Sequence, residues 1–530
     1  MAAGTGDLED GRPRRISHFR MIFDQSVIVD EVINFRYPGS GSEEDPFVTA
    51  WIPNDPRNPQ NFSPLKKWSL TFVVSITTFI VAFSSSSYTG GIKEIMSSFD
   101  VSQEVAVLGV SLFLVGFAFG PLLWGPLSEM YGRQYLFLIT YGGLAIFNAV
   151  AAASQNIQTL LILRFLAGTI GSSPLTNAGG VIADLFDAKE RGIALSVFAA
   201  APFLGPALGP ICGGFLGQAA GWRWVQGLMG ITSAILWLIG ALVPETYAPV
   251  LLRLRAQRLS TLTGKIYKTK KDIQDGPVSL KHAYSIALLR PWLLLFFEPI
   301  VLALTIYMAI INGTLYMLFA AFPIVFQEGR GWNQGVGGLA FLGVMIGMLS
   351  AVVYSTWDDR RYRRIVDQSN GSAPPEVRLP PGLVGSIALP VGMFWFAWTN
   401  SPSIHWMVSI LAGVPFGFGM LVVFLSVLNY LIDAYTIYAA SVLAANSVFR
   451  SMFGAIFPLF TTYMYHNLGI HWASSIPAFL ALGCIPFPFL FYKYGAQIRS
   501  RCKYAAEAAK HLAMAQEEQK EAPEGDSGVS

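Results

Sequence analysis

The sequence predicts an all-α polytopic membrane protein in which twelve transmembrane helices form two six-helix halves. Three observations predict it. The 530 residues are 53% hydrophobic and only 13% charged, about half the charge fraction of a soluble domain. Twelve apolar runs reach the roughly 18 residues needed to cross a bilayer as helices. One long polar break, at about 244–298, divides those runs six and six.

The runs fall at about 68–88, 105–124, 135–153, 159–183, 193–217, 224–243, 299–322, 336–356, 382–399, 406–431, 437–463 and 471–492. They divide the chain into five parts. These are an N-terminal tail (1–65, expected to be largely disordered), an N-terminal six-helix half (66–247), a central loop (248–298), a C-terminal six-helix half (299–494) and a C-terminal tail (495–530). Residues 1–65 hold no apolar core of signal-peptide length. The basic stretch from Arg253 to Lys271 reads as an amphipathic helix at an anionic leaflet, with a regulatory docking site as the rival reading.

Charge sets the expected orientation. Of the 36 Lys and Arg, 31 fall on the side that holds both tails and the central loop. The opposite loops hold three, Lys93, Arg223 and Arg330, and two more, Arg164 and Arg450, lie within spans. The positive-inside rule then places both termini in the cytoplasm. Six histidines show no metal-ligand spacing and no nucleophile–base arrangement is evident, so neither a metal site nor an enzyme is expected. No nucleic-acid partner is expected either, because the basic residues follow the membrane face.

Between the second and third runs lies Gly125-Pro-Leu-Ser-Glu129-Met-Tyr-Gly132-Arg133-Gln134. Its glycines let the chain reverse, and Arg133 can meet Asp184 at the end of the fourth run. This loop resembles the cytoplasmic signature loop of the major facilitator superfamily, with Glu129 where that family usually has Asp. The expectation is a latch, with Glu129 facing the N-terminus of the eleventh span near Tyr435, that holds the two halves together on the cytoplasmic side while the protein is open outward. The fifth run carries Gly205, Gly209-Pro210 and Gly213-Gly214. Spacing of four puts three glycines on one helix face for close packing. The pattern resembles the antiporter motif of the same superfamily, which implies an exporter.

Arg164 begins Arg-Phe-Leu-Ala-Gly168, which is similar to a further motif of that superfamily. It either organises a proton or substrate site or snorkels to the interface. Arg450 lies about 13 residues into its run, ~20 Å at helical rise, and must pair or line a cavity. Glu298 leads the candidates for proton carriage, while Glu298-Pro299 also suits a helix start. In facilitator folds spans one, four, seven and ten line the cavity, so the resemblance implies substrate contact by Asn177, Asn312, Tyr316 and Asn429.

Asp55-Pro-Arg57-Asn58-Pro-Gln-Asn61, Pro244-Glu245-Thr246-Tyr247-Ala248-Pro249 and Arg450-Ser-Met-Phe-Gly-Ala-Ile-Phe-Pro458 are similar to segments of fungal twelve-span drug:proton antiporters. The resemblance covers roughly 51–500. It implies the major facilitator fold and proton-coupled efflux of a small organic compound, such as a secondary metabolite, toxin or drug. It also implies protons as the coupling ion, no cofactor, and a monomer in the plasma membrane lipid bilayer. A polyamine exporter and a non-transporting nutrient sensor are the rival readings.

Overall fold

A computed structural model of the chain describes residues 16–274, 276, 280–369 and 373–521. Its helices follow the apolar runs. Spans 1 to 6 are Pro64–Ser87, Gln103–Tyr131, Arg133–Ala152, Ile157–Leu185, Ala188–Ala220 and Trp222–Gly240. Spans 7 to 10 are Pro299–Phe322, Phe341–Gln368, Pro380–Thr399 and Gly413–Ala434. Spans 11 and 12 are joined at Gly469, where a backbone φ of 76° breaks the helix. The Tyr465 and Ser474 hydroxyls, nine residues apart, lie 2.7 Å from each other. A straight helix would hold them ~13 Å apart, so the chain reverses there.

Local chemistry starts these helices where they start. Ser63 and Asn156 each cap an N-terminus by accepting a bond from a backbone amide two or three residues on, and Pro64 and Pro299 occupy first-turn positions where a missing N–H costs nothing.

The two halves repeat one packing scheme. Span 1 lies along span 5, span 2 along span 4 and span 3 along span 6; span 7 likewise lies along span 11, span 8 along span 10 and span 9 along span 12. Between the halves, span 2 meets span 11 and span 8 meets span 5, as a two-fold relation between the halves requires. Span 7 is the innermost helix, with 89% of its central window buried. Ala118 and Leu122 of span 2 pack on Val448 of span 11 to close one inter-half seam.

The side that carries the N-terminal segment, the central loop and the C-terminal helix is called the terminal face below, and its opposite the distal face. On the terminal face the structure departs from the expected disorder. Residues 1–15 and 522–530 lie outside the described residues, but from Ile16 the segment is organised. Helices His18–Phe23 and Asp30–Asn34 are followed by a strand, Phe47–Thr49, that pairs in parallel with Tyr267–Thr269 of the central loop. Met21, Ile22, Val27, Val32 and Ile52 are buried. The Asp55 carboxylate accepts a 2.6 Å bond from buried Arg255, and Arg57 donates to the Glu245 carbonyl at 3.1 Å.

The central loop also divides differently from the expectation. Arg253 pairs with Asp272 at 2.8 Å and Arg255 with Asp55, so this basic helix, Ala248–Thr263, is docked on protein. The apolar belt belongs instead to the next helix, Leu280–Phe297, whose Leu289, Phe296 and Phe297 are exposed.

The C-terminal helix, Lys503–Glu521, begins against span 7: the Tyr504 amide donates to Glu298 at 2.8 Å. Burial first, and the neighbouring Glu298 carboxylate second, push the Cys502 thiol up to about 12. The thiol is therefore neutral at pH 8, where an ordinary thiol is partly ionised. In the folded, detergent-solubilised chain, maleimide labelling of Cys502 at pH 8, read by peptide mass spectrometry, should run at least tenfold slower than in denaturant. Equal rates would show that this helix start is not docked.

Candidate gating loops and substrate pathway

Span 2 ends at Gly132, whose φ of 88° favours glycine. A Cβ there would also run into the Glu245 carboxylate. Glu245 is fully buried and accepts from the amides of Gln134, Thr246 and Tyr247 at 3.0, 2.9 and 2.8 Å. Its charge thus sits at the positive end of span 3. Arg133 donates to Asp184 at 2.9 Å, to Ser128 at 3.2 Å and to Asn177 at 3.4 Å, and lies 4.9 Å from the Tyr247 ring centre. The structure therefore brings Gly132, Arg133 and Asp184 together. Asn177 belongs to this cluster, bonded to Arg133 and Ser173.

Two members of the loop stand apart. Nothing lies within 4 Å of a Cβ built on Gly125, and the structure gives no packing reason for a glycine there. Glu129 is exposed and does not meet Tyr435 in this state, whose distal face is closed, whereas the expected latch belongs to the outward-open state. That place is taken by Glu298, which accepts the Tyr435 hydroxyl at 2.8 Å. That contact lies within the C-terminal half and is distinct from the latch between halves expected of Glu129.

Span 5 packs by its glycines. A Cβ on Gly205 would stand 2.7 Å from the Phe79 carbonyl, and one on Gly209 2.7 Å from the Ser87 amide. Gly213 meets the Ser87 carbonyl. Span 1 and span 5 are thus in backbone contact over two turns. The rail then crosses to the other half: a Cβ on Gly214 would lie 2.7 Å from the Gln334 carbonyl, and one on Gly338 2.5 Å from that of Pro210. The Gln334 amide donates to Gly90, and Gln218 accepts from the Gly335 amide at 3.1 Å. The distal face is closed by these contacts.

The two intramembrane arginines differ sharply. Burying a guanidinium in a bilayer costs at least ~2.5 kcal/mol. Arg164 meets that cost internally and does not snorkel, being fully buried. Its guanidinium donates to the carbonyls of Gly109, Ser84 and Ser85 at 3.0, 2.9 and 3.3 Å. It also lies between Phe113 and Tyr88, 4.2 and 4.8 Å from the ring centres, a favourable cation–π arrangement.

Arg450 is only partly buried. It lies 5.0 Å from the Phe424 ring centre, and its guanidinium makes no ion pair or hydrogen bond with a described residue. Its carbonyl accepts from Asn312 at 3.0 Å. Tyr316 shares a 2.9 Å bond with Ser85 of span 1, a hydroxyl contact across the two halves. Asn429, near the terminal end of span 10, is half-buried.

Among the described residues Glu298, Glu245 and Asp55 are the buried carboxylates, and all sit at the terminal face. Sequence reading named only the first; the Asp55 and Glu245 segments were noted without a role for either carboxylate. Their partners, Arg255 and the start of span 3, lie 200 and 111 residues away, beyond the reach of a local pattern.

A valine at Gly209 must displace backbone of span 1, and such overpacking costs about 1–3 kcal/mol or more. Gly209→Val should lower transport at least tenfold, measured as compound retention in pump-deficient yeast. Gly179→Val, where a Cβ meets nothing within 4 Å, should retain most of it.

Comparison with known proteins agrees with this architecture. The Major Facilitator Superfamily profile matches residues 74–458. The multidrug transporter mdrA of Aspergillus fumigatus is 62% identical over 533 residues, covering 99% of this chain and 88% of that protein. The efflux pump MFS2 of Trichophyton rubrum is 62% identical over 501 residues, with 94% and 84% covered. The transporter sorT of Penicillium rubens is 52% identical over 488 residues, with 91% and 93% covered. The bound structure of the proton:xylose symporter XylE shares the fold, with a TM-score of 0.58 at 16% identity, covering 82% of this chain and 96% of that one. Twelve spans in two matched halves, the Arg133 loop, the span 5 glycines and these likenesses converge: the chain is a multi-pass membrane transporter belonging to the Major Facilitator Superfamily.

Proposed function

We propose that the chain exports a small organic compound, such as a secondary metabolite, toxin or drug, by alternating access driven by proton influx. The observation that carries this reading is the span 5 rail. Its Gly–Pro pattern holds span 1 and the opposite half at backbone distance on the distal face. A seal made of small residues can part and re-form as rigid halves rock. Relatives of 62% identity carry the names multidrug transporter and efflux pump, which supports outward movement. The Lys and Arg distribution supports cytoplasmic termini, with the distal face outside. A monomer in the plasma membrane, with protons as coupling ion and no cofactor, completes the proposal.

The structure favours Asp184 over Glu298 for the proton step. Glu298 is clasped by the Tyr435 hydroxyl and the Tyr504 amide, three elements locked around one carboxylate. Asp184 faces a single guanidinium and the Thr246 hydroxyl at 3.4 Å. Protonating it would release Arg133 beside the loop that connects spans 2 and 3, and so couple a proton to the position of the terminal-face ends.

The test is retention of a panel of fluorescent and natural-product compounds in pump-deficient yeast, with and without an uncoupler. Lowered retention that the uncoupler abolishes is expected for the wild type and for Glu298→Gln. Asp184→Asn should lose at least tenfold of the energised export. Export that ignores the uncoupler would contradict proton drive.

A further inference from the structure

The central pathway carries permanent positive charge and no negative charge. Away from their terminal-face turns, where Lys66, Lys67, Asp184 and Asp433 sit, spans 1, 4, 7, 10 and 11 contain two arginines and not one Asp or Glu. Arg164 is fully engaged by three carbonyls and two rings. Arg450 is not. It stands 11 residues beyond Ala439, the start of span 11, or ~17 Å along the helix. It is partly exposed, and its guanidinium is without an acidic or hydrogen-bonding partner among the described residues.

An arginine stays charged throughout a transport cycle, so Arg450 cannot itself carry the proton. What it can do is hold an anion, and a planar fork of donors is suited to a carboxylate.

Its surroundings define the rest of a site. Phe424 of span 10 lies under the guanidinium at 5.0 Å and packs edge-on against Phe203 of span 5, with ring centres 4.5 Å apart. That aromatic pair bridges the two halves. Tyr316 lies within electrostatic reach of both arginines, and its hydroxyl meets Ser85 of the opposite half. Asn312 holds the Arg450 backbone in place. A cationic anchor for an anion therefore sits beside an apolar aromatic wall, at the junction that alternating access must open and close.

We infer that Arg450 is the anion-binding residue of the transport pathway, and that the cargo is an organic acid with a carboxylate on an aromatic or apolar body. This rests on the export reading above and deepens it. A cationic cargo such as a polyamine would meet like charge at this point. One monoanion out for one proton in moves two positive charges inward, so the cycle would be driven by membrane potential as well as by pH.

The test is equilibrium binding of tritiated 1-naphthoate to the purified full chain in nanodiscs. Naphthoate methyl ester, 1-naphthylmethylammonium and chloride serve as competitors. The acid should bind at least tenfold more tightly than the ester, as expected for a charge-assisted pair, with the ammonium weaker still and chloride at 150 mM (about physiological strength) displacing little. Arg450→Gln should bring acid and ester within about threefold of each other at an unchanged melting temperature, and Arg450→Lys should keep part of the preference. If Arg450→Gln does not fold, the wild-type competitor series and Arg450→Lys decide the matter.

Ester binding as well as acid, chloride displacing the acid, or a preference that survives Arg450→Gln would overturn the inference. Uncoupler-sensitive export of neutral compounds would leave the export reading standing in that case. Selective acid binding without any energised export would sink the export reading and leave the anion site intact.

Discussion

The structure depends on one constraint: span 5 must lie against span 1 at backbone distance. Gly205, Gly209 and Gly213 make that approach, and a side chain at any of them would hold the helices apart. Because Pro210 and Gly214 on the adjoining helix face meet Gly338 and Gln334 of the other half, the packing of one half and the closure of the molecule share one helix. Lipid supplies no hydrophobic force between helices, so such contacts carry association. Span 7 repeats the role of span 1 by lying along span 11, which gives each half a rigid inner pair.

That rigidity determines where charge can sit. A bilayer requires every buried polar group to find an internal partner. The N-terminal half meets this for Arg164 by turning the carbonyls of Gly109, Ser84 and Ser85 toward it; the serine-rich end of span 1, Ser84 to Ser87, is buried around it. At the terminal face, buried carboxylates and the buried Arg57 and Arg255 organise the chain. Glu245 pins the start of span 3, Asp55 pins the N-terminal segment to the central loop through Arg255, and Glu298 gathers span 7, Tyr435 and the C-terminal helix. Arg450 differs from Arg164 in being partly exposed and without a guanidinium partner among the described residues, and its position at the half–half junction is why it reads as a site rather than as packing.

The fold was legible because each span is an apolar run of sufficient length, and the glycine spacing of span 5 named its own contact face. The Arg133–Asp184 pair was legible from its signature loop. The order of residues 16–65 was not, because Met21, Val27 and Val32 are scattered apolar residues whose burial exists only against distant segments: spans 1 and 4 for the first two, the central loop for the third. Nor was the identity of the carboxylate at Tyr435. A helix dipole favours any nearby negative charge, and the sequence cannot say that Glu298, 137 residues away, arrives before Glu129. Asn177 was placed in the pathway by its span, whereas its orientation along that span turns it to Arg133.

The central claim is that the distal seal parts while the halves stay rigid. Ser97, on the short distal helix Ile92–Phe99, and Ser403, on a distal loop, are exposed positions of the two halves. Spin labels there, with Cys212, Cys484 and Cys502 replaced by serine, allow the distance between the halves to be measured by double electron–electron resonance in nanodiscs. The account predicts a closed distance plus a longer one, with populations that exchange as pH is changed. A single narrow distance at every pH would contradict it.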